Sequence, residues 1–360
     1  MNFVKSLLLC IFIFPVLFLF AQEKPSYKYV SGEKLTILGR SESISSSAYQ
    51  RVDSLNRSDL PGKVQLLATY SAGINLLFKT NSKNIRVNWK LKKYNSKANM
   101  TPVAVNGLDL YGWNSKSWQF VAAALPESEY NSVSFIKNLD GKMRDYRIYL
   151  PLYSELTNIE IGVDSNAILE TGDSDFISKK IVAIYGSSIT QGASASRPGM
   201  AYPSIIAREL DVETYNLGFS GSGKMEIEIV EVLSKIPADL YILDCVPNCS
   251  PKQIKERAIP FIKKLRKLKP DIPILMVESI FRENGYWNSE FGKRVIQQNA
   301  EYYRVYKQLL NEDYKLIYYI PSNELTGYDH EATVDGTHLT DLGQKRIAQR
   351  ISIVIKQILE

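Results

Sequence analysis

Histidine and cysteine are the scarce residues of this 360-residue chain, which holds two of the first, His330 and His338, and three of the second. Cys10 lies inside an apolar N-terminal run, so only Cys245 and Cys249 belong to the remainder. That excludes a fold held together by a disulfide framework. So few donors also leave a zinc site without a ligand set, and no metal is expected. A basic stripe is missing too. The net charge is +6, but lysines and arginines are scattered apart from Lys263-Lys264-Leu265-Arg266-Lys267. That run lies on a helical stretch and reads as a solvated face, so nucleic acid is not an expected partner. There is no internal repeat and no low-complexity linker.

Residues 1–21 have the layout of a secretory signal peptide. Lys5 supplies the positive start, Ser6 to Phe20 is almost wholly apolar, and Ala21 precedes the polar Gln22-Glu23-Lys24. The apolar core is short for a spanning helix. The expectation is an exported protein, periplasmic or extracellular, with no stable membrane insertion after cleavage. Loss of Lys5 lowers the net charge from +6 to +5. Roughly 340 residues then remain, more than one hydrophobic core usually serves, which predicts two domains.

Within an N-terminal domain expected over residues 22–175, the hydrophobic period is two from about Lys28 to Leu169. Ile85, Val87, Trp89 and Leu91 alternate with Arg86, Asn88, Lys90 and Lys92, and Ile159, Ile161 and Val163 alternate with polar neighbours. Each pattern is a strand with one wet face. Asn106-Gly107 between short apolar runs is a hairpin signal. No helical period of useful length is visible here, so this part is expected to be a β-sandwich of the jelly-roll kind. The junction is placed near Thr171-Gly172-Asp173-Ser174-Asp175.

From 176 to 360 strands and helices alternate. Strands are expected at Ile181–Tyr185, Glu213–Asn216, Leu240–Asp244, Ile274–Glu278 and Leu316–Ile320. Helices are expected at Ala201–Leu210, Met225–Leu233, Pro251–Leu268, Lys293–Leu310 and Thr340–Leu359. Five such strands imply a parallel sheet covered on both faces, with ligands at the carboxyl ends of the strands.

Four stretches at that edge carry chemistry. The first buried strand runs into Gly186-Ser187-Ser188, a turn that presents a serine. Val334-Asp335-Gly336-Thr337-His338 sets an aspartate three residues before a histidine, ahead of the last helix. A serine nucleophile needs a neutral imidazole as base and an acceptor on its other nitrogen, and Asp335 can be that acceptor. Donors for an oxyanion can come from Asn216-Leu217-Gly218-Phe219-Ser220-Gly221-Ser222-Gly223, whose glycines let backbone N–H groups approach closely. The other source is Asp244-Cys245-Val246-Pro247-Asn248-Cys249, where Pro247 stiffens the turn that presents the Asn248 amide. Cys245 and Cys249 across that turn are either two buried thiols or a short bridge that export would permit.

Together the four stretches resemble the SGNH (GDSL-type) hydrolase family from Lys179 to the C-terminus. The resemblance implies a flavodoxin-like three-layer α/β/α domain preceded by the sandwich. It assigns Ser188 as nucleophile, with Ser187 where an aspartate is usual, and Asp335 and His338 as acid and base. Ser188, Gly221 and Asn248 become the oxyanion hole. The third block departs most, with Val246 for glycine and Cys249 for aspartate. Family members with an N-terminal β-sandwich resemble secreted carbohydrate esterases, and no cofactor is implied.

Glu278 and Arg282, which end and follow the fourth strand, can line a pocket or form an internal ion pair. Tyr286 and Trp287 are aromatics suited to sugar rings at the same edge, and His330 has no partner pattern. The expected function is hydrolysis of O-acyl, chiefly O-acetyl, esters on a glycan. The rivals are a lipase or thioesterase on the same scaffold and a catalytically inert carbohydrate-binding protein.

Overall fold

The computed structural model describes residues 26–40, 47–323 and 325–360. The expected signal peptide therefore lies outside the described residues. Among the described residues, no helix is long and apolar enough to cross a membrane.

The first part of the chain forms ten strands: β1 (Tyr27–Ser31), β2 (Thr36–Leu38), β3 (Asn75–Thr80), β4 (Ile85–Leu91), β5 (Leu108–Trp113), β6 (Trp118–Ala124), β7 (Tyr130–Ile136), β8 (Arg144–Tyr149), β9 (Leu156–Asp164) and β10 (Leu169–Thr171). They make two antiparallel sheets, one in the order β1-β9-β4-β7 and one in the order β10-β3-β8-β5-β6, with β2 alongside β3. The period-two pattern explains the packing. Ile85, Val87, Trp89 and Leu91 point inward and share one core with Leu76, Phe78, Leu110 and Ile148 of the facing sheet.

Two expectations for this half need correction. Short helices do occur, at Ser54–Arg57, Gly62–Ala68 and Pro102–Asn106. Asn106-Gly107 is not a hairpin turn: Asn106 closes the last of these helices, and Gly107 leads straight into β5. The local cause is Thr101-Pro102. The Thr101 hydroxyl caps the helix by accepting from Ala104 N at 3.0 Å, and proline suits the first helical position.

Five parallel strands follow: β11 (Ile181–Gly186), β12 (Glu213–Gly218), β13 (Leu240–Asp244), β14 (Ile274–Val277) and β15 (Ile317–Ile320). Their spatial order is β12-β11-β13-β14-β15. Alternate residues of each strand feed two cores. Val182 and Ile184 pack with Ile205, Ile206, Ile347 and Ile351 from helices Tyr202–Leu210 and Asp341–Leu359. Ala183 and Tyr185 pack on the opposite face with Phe261 and Tyr302, from helices Pro251–Leu268 and Ser289–Asn311. The helix expected from Met225 begins only at Ile229, after Met225 adopts a positive φ of 55°. The chain leaves β11 for β12 on one side and returns to β13 on the other. The carboxyl end of β11 is thus the topological switch point, where such sheets hold their ligands.

Two buried charges fasten the sandwich to this sheet. Asp109 of β5 accepts from Gly199 N at 3.0 Å and from Arg197 Nη1 at 2.7 Å. A side chain on Gly199 would stand 2.7 Å from Tyr111 Cε2, so only glycine fits there. Arg51 donates to Asn216 O at 2.9 Å, Gly218 O at 2.7 Å and Leu67 O at 2.6 Å. Its partners are neutral carbonyls, and burial pulls the guanidinium down to about 9. Arg51 thereby ties the sandwich to the end of β12, where the glycine-rich loop starts.

Candidate active site

Ser188 opens a single helical turn, Ser188–Gln191, directly after β11. Ser187 Oγ accepts from Ile189 N at 3.2 Å and so caps the turn, a task a short carboxylate could equally perform. Gly192 ends it at a φ of 99°, a left-handed conformation that favours glycine. Beneath the turn, buried Asp244 accepts from Thr190 Oγ1 at 2.7 Å and from Tyr202 Oη at 2.9 Å.

Burial pushes the Asp244 carboxyl from its ordinary 3.8 up to about 7, against the pull of those two hydroxyls. Between those values the folded protein keeps a proton that the unfolded chain has released. Stability therefore falls as pH rises through that window. Asp244→Asn removes the titration but keeps an oxygen for both hydroxyls. Between about pH 4 and about pH 7 the wild-type Tm should drop more steeply than the variant's, by the equivalent of at most about 4 kcal/mol. Parallel Tm curves would contradict this account of Asp244.

The second arm is the loop between Thr333 and Leu339, which pair as an antiparallel bridge. Gly336, at a φ of 82°, lets the loop turn tightly enough to bring Asp335 and His338 to one side. Asp335 Oδ1 accepts from His338 N at 2.8 Å and from Thr337 N at 3.1 Å. Its Oδ2 lies 2.7 Å from His338 Nδ1, and His338 Nε2 lies 2.9 Å from Ser188 Oγ. Burial pushes the Asp335 carboxyl upward, but the donated N–H groups and the imidazole outweigh it and hold it below the ordinary carboxylate range. With Asp335 ionised, the proton belongs on Nδ1 and the Nε2 lone pair faces the serine. Such an arrangement can draw a proton from Ser188 as its oxygen attacks.

The glycine-rich loop lies against the nucleophile turn. Phe219 N donates to Gly186 O at 2.9 Å, and Ser220 N donates to Gln191 Oε1 at 2.9 Å. Gly221 sits at a φ of 66°. Asn248 Nδ2 donates to Ser222 O and, at 3.4 Å, to Phe219 O, so the amide is oriented by the same loop. The Asn248 turn is braced in its turn: Arg282 Nη2 donates to Pro247 O at 2.5 Å, and Gln298 Nε2 to Val246 O at 3.3 Å. Cys245 and Cys249 are free, buried thiols rather than a bridge. Burial pushes the Cys249 thiol up to about 12, which makes it unreactive.

Sequence reasoning missed Asn99, from the sandwich. Its Nδ2 lies 3.0 Å from Asp335 Oδ2 and 3.2 Å from His338 Nδ1. No local pattern announces it, because the contact spans 236 positions. Of the weaker candidates, Glu278 is used internally: it accepts from Tyr319 Oη and, at 2.7 Å, from Ser322 N. Arg282 braces Pro247 and makes no pair with Glu278. Tyr286 packs edge-on against Phe281 and His330, and His330 pairs with Glu283 at 2.9 Å. Trp287 is 93% exposed. Its helical turn adjoins the Asp335 loop, since Glu283 N donates to Gly336 O at 2.9 Å.

Residues 179–356 match the model of the GDSL-like lipase/acylhydrolase family. Residues 27–169 match a second model, the N-terminus of Esterase_SGNH_hydro-type, called GxDLY. Those five letters are met here by Gly107-Leu108-Asp109-Leu110-Tyr111, the segment that docks on Arg197 and Gly199. Among solved structures, a GDSL-like lipase from Bacteroides ovatus is 39% identical, with 93% of this chain and 98% of that chain covered and a TM-score of 0.90. The salicylyl-acyltransferase SsfX3 from a tetracycline biosynthetic pathway is 17% identical over 92% of this chain and 98% of its own, at a TM-score of 0.73. A family two carbohydrate esterase from Clostridium thermocellum, in complex with cellohexaose, is 13% identical over 80% and 93%, at a TM-score of 0.59. These last two share the fold. A search of curated protein sequences returns no match. The chain belongs to the GDSL-like lipase/acylhydrolase family, as an SGNH-type member that carries the GxDLY sandwich at its N-terminal side.

Proposed function

We propose that the protein is a serine esterase that removes small acyl groups, chiefly acetyl, from a glycan. The observation that carries this reading is the Ser188–His338–Asp335 relay, with separations of 2.9 Å and 2.7 Å, at the switch point of the sheet. Ser188 Oγ attacks the acyl carbonyl and its proton passes to His338 Nε2. The carbonyl oxygen becomes an oxyanion held by the Ser188 and Gly221 N–H groups and the Asn248 amide. The C–O bond to the sugar then breaks, and the imidazolium returns its proton to the departing sugar hydroxyl. Water, deprotonated by the same imidazole, releases the acid and restores Ser188. Asp335 orients His338 and stabilises the imidazolium, and Asn99 steadies Asp335 from the sandwich.

The fully exposed Trp287 beside the catalytic loop supports a sugar as the leaving group, since aromatic faces stack on sugar rings. The shared fold with a family two carbohydrate esterase supports the same substrate class. One feature favours the lipase reading instead. An open depression of about 520 Å³ beside Asn99 is lined by Met100, Val334 and Leu342 among others, and an acyl chain could lie there.

A chain-length series decides between them. Each methylene that fits an apolar pocket adds about 0.8 kcal/mol, or roughly fourfold in affinity. For an acetylesterase, kcat/KM should be highest on p-nitrophenyl acetate and fall toward octanoate. A steady rise from acetate to octanoate would replace the proposal by the lipase reading.

A further inference from the structure

Two lysines of the sandwich stand over the loop that carries Gly221. Lys63 Nζ lies 2.6 Å from the point a side chain on Gly221 would occupy. Lys97 Nζ lies 4.5 Å above the ring of buried Tyr153, which itself adjoins Ser220. Lys97 is two residues from Asn99, which touches the catalytic pair. Among the described residues, neither ammonium is paired with a carboxylate. The two charges instead act on each other: burial, and then the charge of Lys63, makes Lys97 easier to deprotonate. Lys97 is half-buried and Lys63 exposed, and two like charges acting on each other there are unfavourable unless an anion joins them.

Lys92 and Lys93 precede Lys97 and, with Tyr70, Asn95 and Glu155, border a cavity of about 420 Å³, in which Glu155 pairs with Lys92 at 3.2 Å. Asn95 Nδ2 donates to Tyr153 O at 2.8 Å, which joins that cavity to the floor under Lys97. Lys63 and Lys97 thus present two cations at the Ser220–Gly221 loop, which lies against the nucleophile turn through the Ser220 N to Gln191 Oε1 bond.

We infer that Lys63 and Lys97 receive an anionic group of the substrate, so that the acylated glycan is an acidic one, bearing carboxylate or sulfate on the sugars next to the ester. The inference rests on the esterase reading and adds the charge of its substrate. Lysine ammonium groups are compact point charges that suit either anion, without the fork geometry of arginine.

The test compares kcat/KM on three O-acetylated oligosaccharides of matched length: an oligogalacturonate, a sulfated galactan and a neutral xylan. At low salt, the wild-type protein should prefer at least one acidic substrate over the xylan by about tenfold or more. That preference should shrink as salt rises toward 1 M, where screening acts within about 3 Å. Lys63→Gln with Lys97→Gln should bring the ratio close to one. Preference for the oligogalacturonate assigns the pair to carboxylate, and preference for the sulfated galactan alone assigns it to sulfate.

A wild-type ratio of one or below overturns the inference without any variant. So does an equal loss on all three glycans and on p-nitrophenyl acetate in the double variant, which would make the lysines servants of the oxyanion. Failure of the esterase reading looks different: the wild-type protein would then hydrolyse no ester at all, p-nitrophenyl acetate included.

Discussion

Ser188→Ala or His338→Ala should lower kcat on p-nitrophenyl acetate by about 10³- to 10⁶-fold, because members of such a relay act as a unit. In the proposed reaction the serine oxygen forms the covalent intermediate, and the neighbouring Ser187 Oγ is committed to Ile189 N. His338 Nε2 lies 2.9 Å from Ser188 Oγ. Pairing the two substitutions should cost little more than either alone. Neither side chain fills a core, so stability should stay within about 1 kcal/mol of wild type. A Ser188→Ala protein that keeps ester hydrolysis within tenfold of wild type would remove Ser188 from the chemistry.

The next largest loss is expected from Asn248→Ala, about 10²- to 10³-fold in kcat with KM little changed, as for other oxyanion donors. One proton of the Asn248 amide is held by Ser222 O, and the other makes only the long 3.4 Å contact to Phe219 O, which an oxyanion could displace. The backbone turn should survive the substitution, because Arg282 and Gln298 hold it through Pro247 O and Val246 O rather than through the Asn248 side chain. A loss confined to kcat at unchanged Tm is therefore the expected pattern. A loss below threefold, or one that resides in KM alone, would leave only the Ser188 and Gly221 N–H groups in the oxyanion role.

The parallel sheet was legible in the sequence because its strands are buried on both faces and read as unbroken apolar runs. Leu240–Asp244 was placed to the residue, and the other four differ by one or two positions at an end. The sandwich strands were legible by alternation. Its helices were not, since Gly62–Ala68 spans two turns and Pro102–Asn106 barely one, too short for a period of 3.6 to repeat. Thr101-Pro102 begins the second of them, and Asn106-Gly107, read as a hairpin turn, is its end.

The same division runs through the site. Ser188 stands in a short local pattern at a strand end, Asp335 and His338 in one ahead of the last helix, and the fold brings them within hydrogen-bonding distance. What the sandwich adds was hidden. Asn99, Arg51 and Lys63 reach the site only through docking of one sheet system on the other, and that docking depends on Asp109 and Arg197, 88 positions apart. Glu278 illustrates the opposite error. It sits at a strand end near the active edge, yet Tyr319 of β15 and Ser322 just beyond that strand occupy both its oxygens.

The most direct measurement of the central claim is chemical identification of the acylated residue. The protein would be mixed with p-nitrophenyl acetate, quenched in acid within the first turnover, digested and read by mass spectrometry. An acetyl group on the peptide that contains Ser188, absent from Ser188→Ala, is the predicted result. Full ester hydrolysis with that peptide unmodified, or with the acetyl group carried by another residue, would contradict the account.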